Sequence, residues 1–164
     1  MLAVRALARE SADDSAKVLR IFMEAPSYSR LVEGRPPSQA DVSDFFDGMP
    51  PGKDASDKFS LGFHVGADMV GCADVIRSYP AKDGAFIGLL LFAEAHQGRG
   101  YGKHALHLIE KMAQNWGCTT LQLAVISTNP RALAFWQREG FEVLYRKSNP
   151  RFTGDVVVME RAIA

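Results

Sequence analysis

The stretch Gly84 to Lys103, GAFIGLLLFAEAHQGRGYGK, leaves few folds open to this chain. It begins with an apolar run, Ala85 to Phe92, whose length suits a buried strand better than a helix. A short polar turn, Glu94 to His96, leads to Gly98, Gly100 and Gly102. A helical pattern comes directly after, with Ala105, Leu106, Ile109, Met112, Ala113 and Trp116 on one face. Strand, glycine loop and helix in this order aim several backbone N–H groups at one point. The helix N-terminus adds partial positive charge there, which makes the point a seat for phosphate. Glycine lets a ligand approach the backbone closely and permits positive φ.

Spacing separates the possible owners of such a loop. A P-loop needs Gly-x-x-x-x-Gly-Lys followed by Ser or Thr; here Gln97 stands at the first glycine and His104 comes after Lys103. A dinucleotide fingerprint starting at Gly98 would put Lys103 at its third glycine. The next strand, Leu121 to Ile126, then ends without the required carboxylate. Both readings fail.

The pattern Gln97-x-x-Gly100-x-Gly102 instead resembles the acyl-CoA pyrophosphate loop of the GNAT superfamily of N-acetyltransferases. The resemblance continues downstream. After the strand Leu121–Ile126 comes Asn129-Pro-Arg-Ala-Leu-Ala-Phe-Trp-Gln-Arg-Glu-Gly-Phe141, similar to the family's second signature, an Asn opening a short helix that ends in Gly-Phe. Asn129 is a good N-cap, Pro130 suits the first helical position, and Gly140 supplies the stop. A lone glycine loop is weak evidence; two motifs at this separation, covering Gly84 to Phe141, are strong.

Composition removes other classes. The length of 164 residues fits one domain, residues 1–164, with room for a proper core. Nineteen basic residues balance nineteen acidic ones, so no nucleic-acid or membrane surface is expected. No apolar run could span a bilayer and no leader pattern opens the sequence, so a cytoplasmic protein is expected. Cys72 and Cys118 then read as reduced core thiols rather than a disulfide framework. His104 and His107 share a helix face but lack acidic or cysteine partners at ligand spacing, so no metal is expected.

Read in order, Leu2 to Leu7 is a strand. Ser11 or Asp13 caps a helix that Pro26 stops, and Ser27 to Pro37 is irregular. Ser38 caps a second helix, and Met49 to Ser56 is a flexible connector. Phe59–Val65 and Met69–Arg77 form a hairpin around Gly66-Ala67-Asp68, and Glu142–Lys147 and Asp155–Ile163 are the last strands. The summed order is β-α-α-β-β-β-α-β-α-β-β. The two strands that carry the motifs flank a helix, so they should be parallel with a right-handed crossover.

The resemblance implies an α/β fold of the mixed α+β kind, a central sheet of about seven strands with about four helices. Its two parallel motif strands splay apart to hold the pantetheine arm of acetyl-CoA. It implies pyrophosphate on the N–H groups from Gly98 through Arg99, Gly100, Tyr101 and Gly102 to Lys103, with Gln97 opening the loop. The backbone of Leu90, Leu91 and Phe92 would hold the pantetheine and polarise the thioester carbonyl. Asn129, Phe135 and Trp136 would complete the cofactor side. The acceptor would be an amine on a small molecule or peptide, attacked directly in a ternary complex. Family members often dimerise, so a homodimer is open.

The chain departs from the family's pattern in two places. Many members carry a Tyr acid where Trp136 stands, and an indole N–H is no usable acid near neutral pH. The family often places a Glu base inside the strand before the loop, yet Ala85–Ala93 holds no carboxylate. Glu94 reads as a turn residue, and Asp74, Asp83 and His64 are candidates by strand position alone, so the base stays unassigned. Tyr28, Phe63, Tyr79, Tyr145 and Phe152 could line an acceptor pocket or be ordinary core. The missing acid and base leave open a non-catalytic acyl-CoA binding or regulatory module of the same fold.

Overall fold

A computed structural model describes residues 1–164 as seven strands and five α-helices. In chain order these are β1 (Leu2–Ala6), α1 (Ala12–Met23), α2 (Pro26–Glu33), α3 (Gln39–Asp47), β2 (Lys58–Val65) and β3 (Asp68–Arg77). Next come β4 (Gly84–Phe92), α4 (Tyr101–Asn115), β5 (Thr120–Ile126), α5 (Pro130–Arg138), β6 (Glu142–Lys147) and β7 (Val156–Ala162). The strands make one sheet in the order β1-β2-β3-β4-β5-β7-β6. Only β4 and β5 are parallel; every other neighbouring pair is antiparallel. No helix is long and apolar enough to cross a membrane.

The seven strands, their order along the chain and the parallel pair that carries the motifs match the expectation, with one added helix. The segment after Pro26, expected to be irregular, folds as α2. Pro26 starts this helix rather than merely ending the one before: at the first helical position its missing N–H costs nothing. Gly34, at φ +69°, closes α2 in the left-handed conformation. Ser11 caps α1 by accepting from the Asp14 N–H at 3.1 Å. Ser38 opens α3 with a capping box, the Asp41 carboxylate accepting from the Ser38 N–H at 2.8 Å. The expected flexible connector before β2 is pinned instead: Lys53 reaches Asp57 at 2.7 Å and the Ser78 carbonyl at 3.1 Å.

Each face of the sheet has its own core. Leu106, Ile109 and Ala113 of α4, with Trp136 of α5 and Phe141, pack on Leu121, Leu123, Val157 and Met159. Val18, Ile21 and Phe22 of α1, with Val42, Phe45 and Phe46 of α3, pack on Met69, Cys72 and Leu91. A smaller cluster joins Val32 of α2 to Ile126, Val156 and Val158, with Tyr28 and Phe152 at its margin. Alternation along β5 and β7 sends successive side chains to opposite faces, so neither helical layer can slide without unpacking the other.

Ile109 ties α4 to the sheet beneath the glycine loop, and it is 1% exposed. Ile109→Ala should cost about 2–5 kcal/mol and lower Tm by roughly 5–15 °C, measured by thermal unfolding followed by circular dichroism.

Candidate active site

The parallel pair β4–β5 is joined over only a short stretch. Its register runs from Gly84 opposite Thr120 to Ile87 opposite Leu123 and stops, although β4 continues to Phe92 and β5 to Ile126. On its other side β4 remains paired with β3 as far as Phe92 opposite Gly71. Beyond Ile87, β4 therefore presents a free backbone edge in the middle of the sheet. At about 3.3 Å per residue, this edge runs roughly 15 Å. The first residues past the last pair, Gly88 and Ala124, are both exposed, and Leu89 and Leu90 are half-buried. Central strands are normally sealed; these two open to solvent where they part.

The free edge leads directly into the glycine loop. Gln97 donates from Nε2 to the Phe92 carbonyl at 2.8 Å, tying the loop to the end of β4. Gly98 and Gly100 lie at φ +76° and +81°, where any side chain would be strained. The backbone N–H groups from Gly98 to Lys103 donate to nothing in the chain. The first N–H beyond them to do so is that of His104, to the Gly100 carbonyl at 3.2 Å. Successive free amides with alternating handedness at a helix N-terminus make a concavity that attracts anions. Arg99 and Lys103 stand exposed on either side of it. Tyr101 stacks on Phe92, and Phe92 on Phe63, so the loop rests on an aromatic column reaching into the core.

The second motif packs against the first. Asn129 caps α5, its Oδ1 accepting from the Ala132 N–H at 3.4 Å. Phe135 lies beside Gly102: a β-carbon there would meet the phenyl ring at 3.3 Å. Trp136 is buried edge-to-face between Phe135 and Phe141, with ring centroids 4.9 and 5.3 Å away. Leu90 to Phe92, Gln97 to Lys103 and Phe135 are thus gathered around one opening, while Asn129 and Trp136 support it through capping and packing. A shallow cavity of about 480 Å³ continues from Gly100 and Lys103 along α4, lined also by His104, His107, Glu110 and Arg161. No cluster of three or more metal-ligating side chains occurs. A negatively charged diphosphate attached to an extended amide chain fits both parts, the amides of the loop and the free edge of β4.

Toward α2 the opening is walled by charge pairs. Arg151, in the β6–β7 connection, reaches Glu33 at 2.9 Å and Asp44 at 2.6 Å, and Arg35 reaches Asp41 at 2.9 Å and Glu33 at 2.8 Å. Thr153 donates to the Leu31 carbonyl and its N–H to the Val32 carbonyl at 2.9 Å. Of the aromatic residues suggested for an acceptor pocket, Tyr28 and Phe152 meet here. Phe63 is buried beneath Phe92, Tyr79 packs on Phe86, and Tyr145 lies exposed on the edge strand β6. Burial and the carboxylates of Glu33, Asp74 and Asp41 push the Tyr28 phenol well above its ordinary range, so it stays protonated.

The candidate bases separate by position. Asp83 accepts from the Thr119 hydroxyl at 3.0 Å on the surface near the start of β4. Glu94 accepts from the Ser27 N–H at 3.2 Å and joins the loop to the start of α2, a structural contact. His64 is buried opposite Ala3 and Met69, and its imidazole is held below the usual range by desolvation. Asp74 alone stands beside the opening, opposite Leu89, and burial raises its carboxyl to about 6 against the opposing pull of Lys58.

The model of the Acetyltransferase (GNAT) family matches residues 17–141, and the chain belongs to that family. An acetyltransferase from Thermus thermophilus shares the fold with a TM-score of 0.78 and 26% identity, over 99% of this chain and 97% of that one. An aminoglycoside 6'-N-acetyltransferase solved with coenzyme A shares it with a TM-score of 0.71 and 12% identity, over 99% and 97%. An L-ornithine N5-acetyltransferase of Arabidopsis thaliana is 30% identical over 80 residues, 49% of this chain. That match spans only about a third, 35%, of the plant protein.

Gly100→Val should leave a folded protein, destabilised by about 1–2 kcal/mol through the left-handed φ, and should weaken coenzyme A binding at least tenfold in calorimetry. Unchanged affinity in the folded variant would remove the loop from the cofactor site. Trp136→Phe keeps an aromatic ring in the same packing; its kcat should fall less than about tenfold, and a loss of several orders of magnitude with intact binding would show that the indole N–H takes part.

Proposed function

We propose that this acetyltransferase uses acetyl-CoA and transfers the acetyl group to a primary amine of a small molecule or peptide, by direct attack in a ternary complex. The observation that carries the reading is the continuity of the free β4 edge with the free N–H groups of Gly98–Lys103. Backbone amides along β4 suit an extended amide-bearing arm, and those of the loop suit its diphosphate. When bound, acetyl-CoA supplies the activated acyl group; the chain supplies orientation and polarisation.

Holding the two reactants together at one opening contributes a large share of the rate by proximity alone. A backbone N–H on the free edge of β4, in a site shielded by α2 and the β6–β7 connection, would stabilise negative charge on the acetyl oxygen. Direct attack is favoured over an acetyl-cysteine because both thiols are unsuited to nucleophilic work. Cys72 and Cys118 are buried, and desolvation pushes both thiols above their ordinary range. Amines such as L-ornithine, named for the Arabidopsis relative, are the first acceptors to try.

Thermal unfolding with acetyl-CoA, coenzyme A, ATP and NAD added separately tests the cofactor. At about 100 times its dissociation constant a ligand adds roughly 2.7 kcal/mol, a rise of roughly 5–10 °C at this size. Acetyl-CoA and coenzyme A should stabilise, and ATP and NAD should not. Thiol release with a panel of amines, L-ornithine included, then tests transfer. Binding without turnover of any amine would favour instead the non-catalytic acyl-CoA module that Trp136 leaves open.

A further inference from the structure

Where β4 loses β5, its pairing with β3 is also irregular. Asp74 lies opposite Leu89 and Val75 opposite Ile87, so Gly88 is left without a partner on β3. Such a bulge bends a strand and re-aims a side chain. It falls at the residue that opens the free edge. A β-carbon at Gly88 would overlap Oδ1 of Asp74, with the carboxyl carbon at 2.9 Å and Oδ2 at 3.0 Å. The carboxyl group of β3 thus occupies the space where a side chain of β4 would begin, at an exposed point of the opening.

The two oxygens of Asp74 are treated differently. Oδ1 accepts from Lys58 Nζ at 3.2 Å, and Lys58 is itself held by the Gly48 carbonyl at 2.5 Å. Oδ2 has no partner in the chain, yet it is not among the polar atoms sealed from solvent without one. The side chains of Lys58 and Asp74 are 7% and 9% exposed. A buried ion pair is seldom the most stable filling for such a space, because desolvation offsets most of the attraction. Stability therefore gives little reason for a carboxylate here, and its free oxygen gives a chemical one.

We infer that Asp74 is the general base of acetyl transfer, with Oδ2 receiving the proton of the acceptor ammonium at the mouth of the β4–β5 opening and Lys58 holding the carboxyl group through Oδ1. This rests on the acetyl-transfer reading above. The balance closes without a further reactant. An N–H bond of the ammonium breaks and its proton goes to Oδ2, then to solvent. The freed electron pair forms the N–C bond to the acetyl carbon. The C–S bond breaks, its pair leaves on sulfur, and the second proton of the nitrogen reaches sulfur through water. Amide, thiol and one released proton result.

The surroundings suit the role. A carboxyl near 6 is a stronger base than an ordinary one and still mostly ionised at neutral pH. The titratable groups that face it are Lys58 of β2, Cys72 of β3 and Tyr28 of α2. The Cys72 thiol and the Tyr28 phenol are both pushed upward and stay neutral, so the acid side of the pH profile belongs to Asp74. Activity should fall about tenfold per unit as pH drops below the carboxyl midpoint.

The test uses acetyl-CoA with the fastest amine of the panel. Asp74→Asn, which keeps an acceptor for Lys58, should lower kcat by about 10²–10³, leave KM for acetyl-CoA unchanged and lose the acid limb near pH 6. In the double variant D74A/G88D a carboxylate starts from β4 instead, and it should recover at least about tenfold over D74A. A ¹³C NMR titration of the Asp74 carboxyl in the ligand-free wild type should show a midpoint near 6, whether or not the variants fold. A midpoint in the ordinary carboxylate range, or a folded D74N as active as wild type with the same pH profile, overturns the assignment alone. A wild type that binds acetyl-CoA and acetylates no amine overturns the transferase reading and the assignment with it.

Discussion

The parting of β4 from β5 after Ile87 and Leu123 is the constraint on which the rest of this structure depends. Breaking a parallel ladder inside a sheet exposes backbone donors and acceptors that folding normally pairs, and unpaired buried groups are costly. The chain tolerates the break because it is short, opens to solvent at Gly88 and Ala124, and is held from both sides. β3 continues to pair with β4 to its end, and β7 pairs with β5 along its whole length. Two antiparallel ladders thus brace one interrupted parallel pair. The helical layers, anchored by Ile109 on one face and Ile21 on the other, keep the halves from closing or drifting apart.

The segment immediately after the break is arranged to use it. The loop after β4 cannot continue as strand or helix because Gly98 and Gly100 take positive φ, and this turns consecutive N–H groups outward rather than into a ladder. Gln97 fixes the loop to Phe92 by one side-chain bond, and the Phe63–Phe92–Tyr101 column fixes it from below. A flexible loop would lose more entropy on binding an anion; one braced in this way is already ordered. The opposite side of the opening is built by different means, through ion pairs between the β6–β7 connection and α2 and α3. There two arginines, Arg35 and Arg151, face three carboxylates, Glu33, Asp41 and Asp44, so the wall keeps a small negative excess.

Much of this was legible in the sequence, and the exceptions are instructive. The glycine loop and the Asn129–Phe141 segment could be read because turn and cap chemistry is local: a positive φ or a capped N–H is written at the residue that needs it. The strands and their order came from apolar runs and their spacing. α2 is not legible locally because a proline ends one helix and starts another equally well, and only packing of Val32 on Ile126 and Val158 decides between them. Asp74 was visible as a carboxylate inside the apolar run Met69–Ile76, and Gly88 as a glycine inside another. Their meeting was not visible, since it depends on a one-residue slip between strands, and alternation patterns carry no signal for a bulge of that kind.

The slip also explains how two tasks are kept apart on one strand. A carboxylate borne by β4 itself would project from the residue whose backbone opens the free edge, and its rotamer would be coupled to whatever lies along that edge. Lending the carboxylate from β3 and leaving glycine on β4 separates the two. The backbone of β4 and the loop amides then form one continuous surface, while Asp74 and Lys58 form another that faces Tyr28 of α2. The ion pairs that hold the walls of this second surface run among α2, α3 and the β6–β7 connection, and only the Glu94 contact with the Ser27 N–H ties α2 to the loop. Changes in the β6–β7 connection can reshape what approaches Asp74 without pulling on the anion seat, whereas changes at the start of α2 reach the loop through Glu94.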